Sequence, residues 1–107
     1  MEYIEDITAL VVDDSEFFAS LTADQLETKH SIEARTASKP EVALDELDSI
    51  DVDVIVSDYD MPAMDGLAFY DRVQDIAPDI PFILLTGRTD GDIASEAISA
   101  GIDDYLQ

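Results

Sequence analysis

Several acidic and hydroxyl side chains follow apolar segments of the sequence, at positions where they could act together. Asp13 and Asp14 follow one apolar run, Asp58 follows another and opens a loop that contains Asp60, and Thr86 follows a third. If these runs are neighbouring strands, the carboxylates come close together, and two like charges about 4 Å apart cost roughly 4 kcal/mol at an effective dielectric near 20. A raised pKa or a bound cation relieves such a cluster.

The donor types in this group indicate which cation and which chemistry. Carboxylate oxygens without histidine or cysteine favour a hard ion that keeps several waters, and Mg²⁺ is the commonest such ion. Beside a bound Mg²⁺, the Asp58 carboxylate could act as a nucleophile and form an aspartyl phosphate. The Thr86 hydroxyl could then bond a phosphoryl oxygen. The residues therefore predict a magnesium-dependent phosphoacceptor site.

The elements that must position these residues alternate between strand and helix along the chain. Since strands in this order imply a parallel sheet with right-handed crossovers, helices should cover both faces. Asp58 would then lie at the carboxyl end of a strand, where α/β folds place their sites. A closing fifth helix is missing, so one flank of the sheet should be uncovered. The predicted strands are Ile7 to Val12, Ile32 to Thr36, Val54 to Ser57, Phe82 to Leu85, and a fifth that begins at Asp104-Tyr105-Leu106.

The intervening segments predict four helices with apolar stripes. Asp14 or Ser15 can cap the first helix, and Ser38 with Glu41 forms a capping-box pattern at the start of the second, which has Pro40 in its first turn. The predicted inward residues are, in chain order, Phe17, Phe18, Leu21 and Leu26; Val42, Leu44 and Leu47; Leu67, Tyr70 and Val73; and Ile93, Ala97 and Ile98 in a helix that stops at Gly101.

Composition sets limits on the setting and the partners. The 107 residues include 26 acidic and 5 basic side chains, a formal net charge of −21, which predicts a halophilic origin because concentrated salt screens the self-repulsion. So few cations argue against direct binding to nucleic acid or an anionic membrane. The absence of cysteine excludes disulfides and thiolate metal sites. No apolar run approaches roughly 20 residues and no signal-peptide pattern is present, so we expect a cytoplasmic protein.

Taken in order, these motifs resemble those of a response-regulator receiver domain of two-component signalling, and the match covers the whole chain. The motifs are Asp13-Asp14, Asp-x-x-Met-Pro-x-Met-Asp-Gly over 58–66, Thr86, and Ala-Gly-Ile-Asp-Asp-Tyr-Leu over 100–106. The resemblance implies a flavodoxin-like (βα)5 fold, a doubly wound parallel sheet in the strand order 2-1-3-4-5, with the last helix absent. It also implies a single receiver domain over 1–107, truncated at or within the fifth strand.

The resemblance assigns roles to the site residues. Asp58 would accept a phosphoryl group from a sensor histidine kinase or a phosphotransfer protein, with catalysis limited to its own phosphorylation and dephosphorylation. Mg²⁺ would be held by Asp58, by Asp14 directly, by Asp13 through water, and by the backbone carbonyl of Asp60. Thr86 and Tyr105 match the switch pair, whose movement would alter the face formed by helix four and strand five. That face could also support a dimer, and an output module could be fused or separate.

Two departures from the family pattern leave alternatives open. The family's lysine after strand five is expected just beyond Gln107, so we expect the protein to continue, since phosphoryl transfer would otherwise be impaired. Asp60 is an acid at a variable position, and we hypothesise that it alters the phosphoryl lifetime. One alternative is a pseudo-receiver that binds partners without phosphorylation. Another is an aspartyl-nucleophile phosphohydrolase, whose Asp-x-Asp resembles Asp58-Tyr59-Asp60 but follows the first strand and not the third.

Overall fold

The strands and helices alternate as the sequence predicts. A computed structural model describes residues 7–30, 32–62, 64–86 and 104–106, with backbone alone for 29, 30 and 104–106. The predicted fourth helix falls outside the described residues. Strand bounds agree with the prediction to within one residue, because each run is short and is bounded by turn residues, which favours a strand over a helix. The elements are β1 (Thr8–Val12), α1 (Glu16–His30), β2 (Glu33–Ala37), α2 (Pro40–Ser49), β3 (Val54–Asp58), α3 (Gly66–Ile76), β4 (Phe82–Leu85) and β5 (Asp104–Leu106).

All five strands form one parallel sheet in the order β2-β1-β3-β4-β5. This confirms the flavodoxin-like topology, in which the chain reverses direction across the sheet between β1 and β3. In the register, Val12 pairs with Ser57 and Asp58 pairs with Leu85. The carboxyl ends of β1, β3 and β4 therefore lie level with one another, and residues that follow these strands meet at one edge.

The core has two layers, one on each face of the sheet. On the α2 and α3 side, Phe82 is fully buried and its ring lies 5.7 Å from that of Phe69 and 5.1 Å from that of Tyr70. On the α1 side the buried residues are Val11, Ala19 and Val56, with Leu26 packed against them. Successive strand residues point to opposite faces, so the continuous apolar strands supply both layers.

The predicted inward stripe of α1 is wrong for three of its four residues. Phe17, Phe18 and Leu21 are 70%, 57% and 45% exposed, and only Leu26 packs against the core. The buried side chains are instead Ala19 and Ala23, which with Leu26 follow the i, i+4, i+7 spacing of one helix face. Small side chains on this face let the helix backbone approach the sheet closely. The larger apolar residues on the exposed face gave a stronger hydrophobic signal in the sequence, so the spacing of the two alanines and Leu26 was overlooked.

The start of α2 also differs from the prediction. Its N-cap residue is Lys39, whose side chain makes no capping hydrogen bond, and Ser38 precedes the cap. The predicted capping box of Ser38 and Glu41 therefore does not form. Pro40 occupies the first helical turn, where its missing N–H is no loss, so the helix start is set by proline geometry.

The predicted inward stripe of α2 is confirmed for Leu44 and Leu47 and wrong for Val42. Val42 is exposed, whereas Pro40 and Ala43 are buried and Leu44 and Leu47 pack against the core. These four follow the i, i+3, i+4, i+7 pattern of a helix face. In α3 the predicted stripe is confirmed, since Tyr70 and Val73 are buried and Leu67 packs against the core, and a fully buried Phe69 joins it.

The strand β2 forms one edge of the sheet and is polar. Glu33, Arg35 and Thr36 are exposed, and Ala37 is buried. The Arg35 guanidinium lies 3.5 Å from the Glu46 carboxylate of α2, an exposed pair of the kind that stabilises a protein by less than about 1 kcal/mol. Among the described residues, no helix combines the length and apolar character needed to cross a bilayer.

Candidate functional site

Three carboxylates meet at the carboxyl ends of β1 and β3. One oxygen from each of Asp13, Asp14 and Asp58 can be chosen so that all lie within 4.8 Å of one another. The pairing of Val12 with Ser57 accounts for this proximity, because the next residue of each strand carries a carboxylate. Asp14 is exposed and the other two are partly buried, so the cluster is open to solvent on one side.

Asp13 lies in the loop between β1 and α1, and hydrogen bonds hold both its backbone and its side chain. Its amide donates to the Ala37 carbonyl at 3.1 Å, and its carboxylate accepts from the Ser15 amide at 2.9 Å. The Ser15 hydroxyl in turn accepts from the Phe18 amide at 3.4 Å, in the position of an N-cap. Of the two predicted caps, Ser15 is therefore the one that the structure shows, and the Asp14 carboxylate stays with the acidic cluster.

The loop after Asp58 is fixed by the strand beside it and by the start of α3. The Tyr59 amide donates to the Leu85 carbonyl at 2.9 Å, and the Gly66 amide donates to the Tyr59 carbonyl at 2.8 Å. A Cβ at Gly66 would lie 2.7 Å from the Asp58 carbonyl oxygen and 3.0 Å from the Tyr59 Cα. Glycine is therefore required here because α3 approaches the loop backbone too closely for a side chain.

Asp65 begins α3, a role that the sequence analysis did not assign. Its carboxylate accepts a hydrogen bond from the Ala68 amide at 2.8 Å, and its backbone is extended, as expected of an N-cap residue. The sequence signal was available, because an aspartate directly before a glycine and an apolar stripe is a helix-start pattern. This carboxylate serves the helix and is not among the clustered acids.

The local electrostatics favour protonation or a cation at the cluster. Burial raises the pKa of Asp58 to about 6, with the charges of Asp13, Asp14 and Asp60 adding to the rise and a hydrogen bond from the Asp60 amide opposing it. Burial likewise raises the pKa of Asp13, partly offset by the Ser15 amide and increased further by Asp14. A cation placed among these carboxylates would reverse both shifts.

The carboxylates open into a cleft of about 520 Å³ that also has apolar walls. Phe18 and Thr22 lie one helical turn apart on the same side of α1. Sequence reasoning missed both as lining residues, although their i, i+4 spacing shortly after Asp13 and Asp14 was an available signal. The cleft is lined by Asp13, Asp14, Ser15, Phe18, Thr22, Asp58, Asp60, Leu85 and Thr86.

The remaining predicted site residues are Thr86, Asp60 and Tyr105. Thr86 is buried and directly follows Leu85, the residue of β4 that pairs with Asp58. Asp60 lines the cleft and donates its amide to Asp58. Tyr105 lies in β5 and its backbone pairs with Leu84, but its side chain lies outside the described ones, as does the predicted helix-four face.

Comparison with known proteins gives consistent matches. Residues 9–107 match the family model for the response regulator receiver domain. The chain is 31% identical over 102 residues to a protein-glutamate methylesterase/protein-glutamine glutaminase from Natronomonas pharaonis, covering 94% of this chain and 29% of the relative. It is 36% identical over 100 residues to the heme response regulator HssR from Staphylococcus aureus, covering 94% and 44%. The chain thus spans less than half the length of these relatives.

A solved structure agrees with the sequence match. The chemotaxis protein CheY4 of Vibrio cholerae superposes with a TM-score of 0.87 at 28% identity, over 95% of this chain and 86% of that one. One assignment follows from three observations: the sheet order β2-β1-β3-β4-β5, the acidic cluster at the strand ends and the family match over 9–107. The chain belongs to the family of response regulator receiver domains.

Proposed function

We propose that this domain is a phosphorylation-dependent signalling switch in which Asp58 accepts a phosphoryl group from a phosphohistidine. The observation that supports it most directly is the meeting of three carboxylates within 4.8 Å at the ends of β1 and β3, in a chain of this family. The donor would be a sensor histidine kinase or a phosphotransfer protein. Regulators and a methylesterase among the relatives support an output module that is fused or separate.

The residues at this site fit Mg²⁺. Their donors are carboxylate oxygens, the ligands that a hard cation prefers, and a cation would offset the burial and the neighbouring negative charges that raise the pKa of Asp58. Asp14 and Asp58 would bind the ion directly, Asp13 through water, and the Asp60 carbonyl would complete the protein's share. Bound there, Mg²⁺ would neutralise charge on the carboxylate and on the incoming phosphoryl group.

The chain's own groups account for the transfer step. A carboxylate oxygen of Asp58 attacks the phosphorus, the P–N bond to the donor histidine breaks, and the imidazole leaves with the electron pair. With a pKa of about 6, Asp58 is mostly ionised near neutral pH and can act as the nucleophile. The Asp60 amide orients the acceptor carboxylate, and the Thr86 hydroxyl at the rim of the cleft would bond a phosphoryl oxygen.

The signal would leave the site through Thr86 and Tyr105. A phosphoryl group on Asp58 would draw the Thr86 hydroxyl toward it, and Tyr105 on the neighbouring strand would follow, changing the face around helix four and β5. The same face would support any dimer. A lysine beyond Gln107, as a cationic partner for the phosphate, and a cytoplasmic location stay predictions.

The test is to look for the phosphorylated aspartate in the full-length protein. With Mg²⁺ and acetyl phosphate or a phosphorylated histidine donor, we expect a mass increase of one phosphoryl group that Asp58→Asn abolishes. Asp65→Asn is the matched control, because asparagine also caps a helix and Asp65 lies outside the carboxylate cluster. If neither donor labels the protein and beryllofluoride forms no adduct with it, the pseudo-receiver alternative is correct. Sustained release of phosphate from simple phosphoesters would instead favour a phosphohydrolase.

A further inference from the structure

Ser57 is an unusual residue in the centre of the sheet. Among the described residues, the buried polar side chains are those of Ser57 and Thr86, and Ser57 is 0% exposed. It stands in β3 after Val54, Ile55 and Val56, where an apolar side chain would avoid the cost of burying a hydroxyl. Such a group is tolerated in a core when its hydrogen bond has a structural role.

The hydroxyl of Ser57 is bonded to the next residue of the chain. It donates to the Asp58 carbonyl oxygen at 3.0 Å. That oxygen faces the start of α3, since a Cβ at Gly66 would lie 2.7 Å from it. β3 ends at Asp58, so Ser57 supplies a donor to a carbonyl that lies where the chain turns out of the sheet.

With this bond, both polar atoms of the Asp58–Tyr59 peptide are hydrogen-bonded. The carbonyl of the Asp58–Tyr59 peptide accepts from Ser57, and its amide donates to Leu85 at 2.9 Å. With both polar atoms held, the peptide plane cannot rotate without losing a hydrogen bond on each side. One residue later comes the Asp60 amide that bonds the Asp58 carboxylate, so the orientation of this plane limits the directions in which that amide can point.

We propose that Ser57 is a positioning residue for the acidic site, holding the Asp58–Tyr59 peptide plane so that Asp58 and the backbone of Asp60 face the same cation. The expected effect on Mg²⁺ binding rests on the proposed function. The fixing of the loop backbone by Ser57 does not, and it can be measured in metal-free protein. Ser57 acts only through the backbone and contacts no reacting atom.

The decisive experiment compares the parent protein with three variants of Ser57. Ser57→Ala removes the hydroxyl, whereas Ser57→Thr keeps it. Ser57→Val has the shape of threonine without the hydroxyl and therefore separates the hydrogen bond from any overpacking in the core. In metal-free protein we expect the Tyr59 and Asp60 amides to exchange hydrogen roughly tenfold faster in the Ala and Val variants than in the parent and Thr variants, the effect of about one net hydrogen bond. Unchanged exchange would overturn the proposal.

The second readout is the dissociation constant for Mg²⁺, measured by amide chemical shifts at constant ionic strength. We expect binding to weaken about three- to tenfold in the Ala and Val variants and to recover in the Thr variant, as for supporting groups behind metal ligands. Equal affinity of the Val and Thr variants would contradict the positioning role. A parent protein that binds no Mg²⁺ would refute the proposed function, while the exchange rates would still decide the role of Ser57.

Discussion

At the scale of single residues, the Asp58 carboxylate combines burial with nearby negative charge. Its pKa is raised from 3.8 to about 6. At a pH between these two values, Asp58 is protonated in the folded state and ionised in the unfolded state. The free energy of unfolding therefore falls as pH rises through this interval and stays low above it. Ionised Asp58 destabilises the metal-free domain at the pH where it is reactive.

Replacing Asp58 by asparagine should remove this pH dependence. We expect Asp58→Asn to raise the melting temperature at pH 7 without Mg²⁺ by roughly 5 °C, since the raised pKa, discounted for partial exposure, corresponds to about 1 kcal/mol. Near pH 4 the two proteins should melt at similar temperatures. Thermal unfolding across this pH range checks the prediction, and Asp65→Asn should retain the parent's pH dependence. A difference that is constant with pH would contradict it.

Asp60 offers a second prediction at this scale. Its side chain lines the same cleft as Asp58, so its charge would repel a phosphoryl group and affect the water that hydrolyses it. We expect Asp60→Asn to change the dephosphorylation rate of the labelled protein about two- to tenfold, consistent with a single nearby charge in a partly solvated site. Loss of radiolabel over time measures this rate. Equal rates in both proteins would end the hypothesis.

At the scale of elements, the close approach of α3 to the β3 loop fixes the shape of the site. An alanine at an ordinary helical position is preferred over glycine by up to about 1 kcal/mol. At Gly66 the added carbon would meet the Asp58 and Tyr59 backbone, which cannot move cheaply. We expect Gly66→Ala to lower the free energy of unfolding by about 1 to 3 kcal/mol and to weaken Mg²⁺ binding. Urea denaturation gives the sign, and a stabilised variant would exclude the clash.

The unusual face of α1 gives a paired prediction. Ala19 packs beneath the helix against Val11 and Val56, so Ala19→Leu should overpack this layer and cost about 1 to 3 kcal/mol. Phe17 is 70% exposed, so Phe17→Ala should change stability by less than about 0.5 kcal/mol. Urea denaturation of both variants tests the assignment of buried and exposed faces. The reverse order of effects would restore the stripe predicted from sequence.

These elements also show what the sequence could and could not predict. Strand positions, their order and the meeting of Asp13, Asp14 and Asp58 follow from apolar runs that end in acids, together with the family resemblance. The inward face of α1 was predicted wrongly because alanine gives a weak hydrophobic signal beside two phenylalanines. The bond of Ser57 and the close approach of Gly66 depend on the three-dimensional path of the backbone, which residue spacing does not specify.

At the scale of the whole molecule, the net charge of −21 should make stability depend strongly on salt. Because the Debye length falls from about 10 Å at 0.1 M to about 3 Å at 1 M, we expect the melting temperature to rise markedly as KCl increases over this range. The rise should shrink in a variant that neutralises four exposed acids, Glu41→Gln, Asp48→Asn, Asp71→Asn and Asp75→Asn. A melting temperature that does not depend on salt in the parent would argue against the halophilic origin, which otherwise stays a prediction.

The polar edge strand β2 has a consequence for colloidal behaviour under such conditions. Concentrated salt suppresses the long-range repulsion that keeps acidic molecules apart, so solubility must then depend on short-range features of the surface. A strand from a second molecule that paired with β2 would have to strip water from Glu33 and Arg35, both of which are exposed. This edge therefore resists intermolecular sheet growth by a local dehydration cost, which persists when the net charge no longer protects the protein.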